Sequence, residues 1–188
     1  MSALARQPEF HANDIELTAM RRRHVRQVMR IESQVYTRPW SAALFLQEIA
    51  RRSDRFYIVA KLESDVVGYG GLMSSGLEAH ITTIAVDPLL HGRHIGMKIM
   101  ICLMDAAIER GGRTVSLEVR KSNAGAQAMY EQFAFQPVGV RRGYYIETGE
   151  DAVVMWVDGV NEPSYSTRLN GLREKVTGKA PGEPTPQA

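Results

Sequence analysis

A single cysteine in 188 residues, Cys102, leaves no partner for an internal disulfide and excludes every zinc site built on paired cysteines. It falls in an apolar helical pattern, which predicts a buried structural thiol rather than a nucleophile. Long apolar runs are missing too: none approaches the ~18 residues that a membrane-crossing helix needs. The opening MSALARQPEF lacks the apolar core of a secretion signal. A reduced, cytoplasmic setting is expected. Net charge is scarce, since 23 Lys and Arg against 21 Asp and Glu leave +2. That is too little to make a membrane or nucleic acid the principal partner. The triplet Arg21–Arg23 is read as a solvated helix face, and no direct nucleic-acid contact is expected. His11, His24, His80, His91 and His94 show no ligand spacing, so no metal is expected either.

What is present is the composition of one globular domain, 44% hydrophobic and 23% charged. Residues 14–20 alternate Ile15, Leu17 and Ala19 inward as a strand does. Val25, Val28, Met29 and Ile31 then recur at helical spacing. A second helix starts after Ser41, a good N-cap, and carries Leu44, Phe45, Glu48 and Ile49. Residues 56–62 and 66–74 read as a hairpin turning at 63–65. HITTIAVD (80–87) is apolar enough at its end to predict a strand buried on both faces. A helix over 95–110 carries Ile95, Ile99, Leu103, Ala106 and Ile108 in one stripe and stops at Gly111-Gly112. RTVSLEVR (113–120) is a strand with Val115, Leu117 and Val119 on one side and Ser116, Glu118 and Arg120 on the other. A short helix (123–135) and an antiparallel pair follow. This order predicts a mixed α/β sheet with one parallel βαβ unit, 80–87, 95–110 and 113–120.

Two stretches carry chemistry. VDPLLHGRHIG (86–96) lies between strand and helix, where unpaired N–H groups and the helix dipole favour an anion. Gly92 and Gly96 permit close backbone approach, and Arg93 adds charge. It is neither a Walker loop nor GxGxxG, so alone it fits a phosphate cradle or a plain surface turn. The second stretch is LEVRKSNAGAQAMYEQFAF. Glu118 leaves a strand on its polar face, and Asn123 and Tyr130 are two helical turns apart. A carboxylate and a phenol beside an anion loop suit acyl transfer to an amine: the first accepts a proton, the second gives one to a leaving thiolate. A surface glutamate and a core tyrosine are the plainer alternatives.

Together these segments resemble the GCN5-related N-acetyltransferase (GNAT) superfamily over roughly residues 14–157. That superfamily's strand ends in V-D-P before a Q/R-x-x-G-x-G/A loop, here IAVDPLLHGRHIG. Its L-E-V-R-x-S-N-x-x-A-x-x-x-Y-x-x-x-G-F pattern is matched by LEVRKSNAGAQAMYEQFAF. The resemblance implies a central, mostly antiparallel sheet with the parallel unit inside it, and acetyl-CoA as co-substrate. It implies Glu118 as general base, Tyr130 as general acid and Asn123 as a coenzyme contact. Backbone groups of Ile84, Ala85 and Val86 would flank the pantetheine and acetyl carbonyl. The loop of Gly92, Arg93, His94, Ile95, Gly96 and Met97 would take the pyrophosphate.

Pro39-Trp40-Ser41 with Phe45, and Arg141-Arg142-Gly143-Tyr144-Tyr145, are similar to a branch that acetylates the N-terminal alanine of a ribosomal small-subunit protein. Trp40, Tyr144 and Tyr145 are accordingly expected on the acceptor side, with hairpin packing as the other role open to the tyrosines. Other N-termini, lysines and small amines remain alternative acceptors, and a weakly active acetyl-CoA-binding module is an alternative of another class. Three residues depart from the pattern: His91 for Gln or Arg, His94 for the first glycine of the pair, and Ala134 for the glycine before Phe135. A histidine suits the loop if its φ is negative. If the left-handed region is required, it costs ~1–3 kcal/mol. The expected organisation is a flexible leader (1–13), an acetyltransferase domain (14–158), and a tail (159–188) largely without structure beyond a short helix near 165–176.

Overall fold

Where the sequence alternates the chain runs as strand, and where apolar residues recur every three or four it coils. The computed structural model describes residues 12–178. In order they form β1 (Ile15–Ala19), α1 (Val25–Val35), α2 (Ala42–Ala50), β2 (Arg55–Leu62), β3 (Asp65–Ser75), β4 (Glu78–Val86), α3 (Ile95–Glu109), β5 (Thr114–Arg120), α4 (Ala124–Gln132), β6 (Gln136–Tyr145), β7 (Glu150–Asp158) and α5 (Pro163–Thr177). The strands make one sheet in the order β1-β2-β3-β4-β5-β7-β6. Every neighbouring pair is antiparallel except β4 and β5. The expected mixed sheet, mostly antiparallel around one βαβ unit, is the fold observed.

Helices cover both faces. On one, Val25, Val28 and Ile31 of α1 and Phe45 of α2 pack on Tyr57, Val59, Val66, Tyr69 and Ala85. Phe45 meets Tyr69 edge to face at 5.6 Å. Ser41 caps α2 as expected, its Oγ accepting from Leu44 N at 3.1 Å. On the other face α3 buries Ile95, Ile99, Leu103 and Ala106 together with Met97, Met100, Ile101, Met104 and Ala107. Each large apolar side chain so buried contributes about 1.5–3 kcal/mol before the entropy of ordering it is subtracted. Ile108 is only half-buried.

α3 is buried around most of its circumference because α5 covers the side that the sheet does not. Tyr165, Leu169, Leu172 and Val176 of α5 are buried, and Tyr165 donates its hydroxyl to the Phe133 carbonyl at 2.9 Å. α5 stands where a short helix near 165–176 is expected, and it is packed rather than loose; residues 179–188 lie outside those described. The leader is likewise structured at its end, where Asn13 Nδ2 donates to the Thr177 carbonyl at 3.2 Å. The rest of it, residues 1–11, also lies outside the described residues.

Three local expectations need correcting. Ala19 is exposed rather than inward, because β1 is an edge strand whose end leaves the core. Cys102 is half-buried, not fully enclosed, although burial still pushes its thiol up to about 11. β4 is not buried on both faces: Thr82, Thr83 and Ile84 are only partly covered. The reason is topological. β4 and β5 pair only at Glu78↔Thr114, Ala79↔Val115 and His80↔Ser116, and then part.

Candidate active site

The gap left by that parting is a cavity of about 240 Å³, with β4 residues His80–Ile84 on one side and β5 residues Leu117–Arg120 on the other. Glu118 reaches it because strand alternation puts Ser116, Glu118 and Arg120 on one face of β5. Its side chain is only 10% exposed, and both oxygens are held. Oε2 lies 3.1 Å from His80 Nε2, and Oε1 lies 3.2 Å from Arg141 Nη2. His80 is itself fixed, its Nδ1 3.0 Å from Ser116 Oγ. The His80 hydrogen bond, aided by the Arg141 charge, holds the Glu118 carboxyl below its usual range against the opposing effect of burial.

Tyr130, on the inner side of α4, lines the same cavity and is buried, its ring 6.1 Å from that of Phe135. Burial, with Tyr36 and Tyr145 close by, raises its hydroxyl well above the ordinary phenol value, so it stays protonated. Tyr144 and Tyr145 close the opening from β6, edge to face at 5.2 Å. The Arg120 guanidinium sits 3.8 Å above the Tyr145 ring. Burial pushes the Tyr145 hydroxyl up to about 12. Asn123 is at the rim and caps α4, its Oδ1 accepting from Ala126 N at 3.1 Å.

The expected site therefore assembles in part around one cavity: Ile84, Glu118, Asn123, Tyr130, Tyr144 and Tyr145 line it. Ala85 is buried against the α1–α2 core, and Trp40 packs there too, its ring 5.4 Å from Phe45, so neither lines the cavity. Val86 and the loop Gly92–Met97 stand outside that lining. The Val86 carbonyl is taken by His91 Nε2 at 3.0 Å.

Sequence reasoning gave no role to four residues. His80 and Arg141 hold Glu118. Tyr36 donates to the Ile84 carbonyl at 3.1 Å from inside the cavity. Glu32, 2% exposed in α1, accepts from Trp40 N at 2.7 Å and from the Tyr69 hydroxyl. For His80 the signal was the strand register, which sets it beside Ser116. The other three depend on contacts that no local pattern announces.

The loop before α3 has a decided geometry. Gly92 has φ +78° and His94 has φ +58°, so the histidine stands in the left-handed region, next to the first turn of a helix. Ala134 does the same at φ +65°. The side chain of His94 is exposed and caps nothing. Replacing His94 with glycine should therefore relieve about 1–2 kcal/mol of backbone strain, offset by about 0.5–1 kcal/mol of added chain entropy. The expected result is a melting temperature unchanged or a few degrees higher, with acetyl-CoA affinity held or improved in a titration. A large loss of affinity would show that the imidazole itself contacts the ligand.

A sheet opened between two parallel strands, beside a helix start that offers free N–H groups, fits a long thioester-bearing coenzyme with an anionic end. The comparisons agree. The model of the Acetyltransferase (GNAT) family matches residues 25–135, and the chain belongs to that family. It is an acetyl-CoA-dependent N-acetyltransferase. Among its relatives, the N-alpha-acetyltransferase RimI of Mycobacterium tuberculosis is 36% identical over 156 residues, covering 80% of this chain and 96% of that protein. The ribosomal protein bS18-alanine N-acetyltransferase of Salmonella typhimurium is 35% identical over 129 residues, 66% of this chain and 84% of that one. Among solved structures, the ribosomal-protein-S18-alanine N-acetyltransferase from Escherichia coli superposes with a TM-score of 0.70 at 26% identity, covering 77% of this chain and 94% of that one. Among the described residues no group of side chains is arranged to hold a metal ion. No helix there is long and apolar enough to cross a membrane.

Proposed function

We propose that this enzyme acetylates the N-terminal amine of a protein, an alanine on a ribosomal small-subunit protein, with Glu118 as general base and Tyr130 as general acid. The observation that carries the roles is that this carboxylate and this protonated phenol face one cavity, in the gap between β4 and β5. Bound acetyl-CoA supplies the acetyl thioester. Backbone groups of β4 along the gap and the N–H groups at the start of α3 are the chain's means of holding it; Ile84 and the loop from Gly92 to Met97 are the segments concerned.

Glu118 takes a proton from the incoming amine, directly or through water, as the N–C bond forms. Tyr130 gives its proton to the sulfur as the C–S bond breaks; a thiol near pKa 8.5 is the stronger acid, so this transfer runs uphill and depends on Tyr130 being placed against the sulfur as its charge develops. Tyr130 then regains a proton from solvent. A carboxylate held below its usual range is a weak base, and that suits an α-amine. At pKa 7.7–8.0 roughly a tenth of such amines are already neutral at pH 7, whereas lysines near 10.4 are not. Arg141 and His80 position the carboxylate. Cys102, a protonated thiol on α3 outside the cavity, offers no acetyl-enzyme route, so the kinetics are sequential.

The acceptor reading is supported by the named activities of the relatives and by the two tyrosines at the opening. Initial-rate assays with Ala-starting peptides and with polyamines check it. A kcat/KM at least tenfold higher for the peptides is expected. Preference for the polyamine would overturn the N-terminal assignment.

A further inference from the structure

A second, larger concavity lies among β1, α2 and β2. It holds about 940 Å³ and is lined by six arginines, Arg21, Arg22, Arg23, Arg52, Arg55 and Arg110. None of its lining residues is acidic. In the sequence only Arg21–Arg23 are neighbours, and three arginines on a surface are ordinary. The fold brings three more to them, from the end of α2, the start of β2 and the end of α3.

Three of the six arginines have partners within the protein: Arg55, Arg110, which donates to the Ser53 and Arg55 carbonyls, and Arg23, which donates to His24. Glu48 Oε2 and Asp54 Oδ2 hold Arg55, at 2.7 and 2.6 Å. Arg110 is steadied over the Phe56 ring at 5.6 Å. The exposed side chains of Arg22 and Arg52 make no ion pair among the described residues. A chain of net charge +2 that gathers six guanidinium groups in one concavity balances them elsewhere. Such a cleft focuses a positive field on whatever enters it. Planar guanidinium forks match phosphate oxygens in particular.

One hydrogen bond links the walls of the two cavities. Tyr57 lines the concavity, and the Tyr57 hydroxyl bonds Thr82 Oγ1 at 2.9 Å, a residue of the transfer cavity.

We propose that the arginine cleft binds the phosphate backbone of an RNA strand, so that the enzyme meets its acceptor protein while that protein is associated with RNA. The choice of RNA rests on the ribosomal-protein reading above. The open form and size suit several successive nucleotides, and guanidinium contacts to phosphates bind without regard to sequence.

The test is fluorescence anisotropy of the full chain with a labelled single-stranded RNA 20-mer, across a salt series. The expected result is binding whose log K falls with log salt at a slope of about −2 to −3, as three or four phosphate contacts give. The double variant Arg22→Glu, Arg52→Glu should weaken binding at least tenfold and leave kcat/KM on a free Ala-starting peptide unchanged. The same charge change on α5, Arg168→Glu with Lys175→Glu, should weaken it far less. No RNA binding, equal losses from both double variants, or equally tight binding of polyglutamate would each overturn the proposal. If RNA binds through the cleft and the Ala-starting peptide is not acetylated, the acceptor reading falls and the cleft stands.

Discussion

Replacing Glu118 with glutamine should lower kcat/KM for an Ala-starting peptide by about 10²–10⁴-fold, the usual worth of a positioned general base. Acetyl-CoA affinity should be unchanged, because the amide keeps the size and shape of the carboxylate and can still accept from Arg141. What it loses is the ability to take a proton. The pH profile is a second signature. The native carboxyl is held below its ordinary value by His80 and Arg141, so it is ionised throughout the neutral range. The rise of kcat/KM with pH should then report the peptide α-amine and level off near pH 8. Steady-state kinetics from pH 6 to 9 with calorimetric titration of acetyl-CoA read both. Full turnover in the glutamine variant would remove Glu118 from the mechanism.

The second large effect concerns Glu32, far from the proton transfers. Its carboxyl is sealed beneath α1 with the Trp40 N–H and the Tyr69 hydroxyl as partners, and burial raises it from 4.5 to about 7 despite the Trp40 hydrogen bond. A carboxyl raised on folding stabilises the native state fully below its unfolded value near 4.5 and loses that contribution as pH rises through about 7. Denaturant unfolding should therefore show this group's contribution falling by about 2–3 kcal/mol between pH 5 and pH 8. Glutamine resembles the protonated acid and can serve both partners, so Glu32→Gln should flatten that slope and match or exceed the native stability at pH 8. Alanine, which leaves two buried polar groups unpaired, should cost about 2–5 kcal/mol at any pH. An unaltered slope in the glutamine variant would assign the pH dependence to another group.

The parts of this protein that the sequence announced are those governed by neighbours along the chain. Ser41 sits ahead of an apolar helix and caps it. Alternation from Val115 to Arg120 puts Glu118 on the polar face of β5, and two helical turns link the Asn123 cap to the buried Tyr130. The parts it concealed are set by distance in sequence. His80 and Glu118 are brought together only by the register of β4 on β5, and Arg141 arrives from β6. The helical spacing of Tyr165, Leu169, Leu172 and Val176 announced a short helix near 165–176, but charge and glycine between them hid that its apolar side packs on α3. A clue lay in α3: Met97, Met100, Ile101 and Met104 are too many apolar residues for one stripe, and a helix apolar on both sides needs a second cover. His94 and Ala134 are a different case. The motif expected glycine, and the backbone indeed adopts the glycine conformation at both positions. The pattern foretold the geometry even where the residue had changed.

The partial pairing of β4 with β5 has one more consequence. Three residue pairs are all that join the backbone ladder of β1 to β4 to that of β5 to β7. Mechanically this is a sheet bound along part of one seam, with α3 packed on β2, β3 and β4 to one side of it. Beyond His80, β4 keeps its ladder to β3 but has no strand partner toward β5, so local opening is easier there than where both sides are paired. A molecule lying between the halves would act as a temporary extra strand and share its binding energy with the fold. Substrate occupancy and resistance to unfolding then become a single linked quantity.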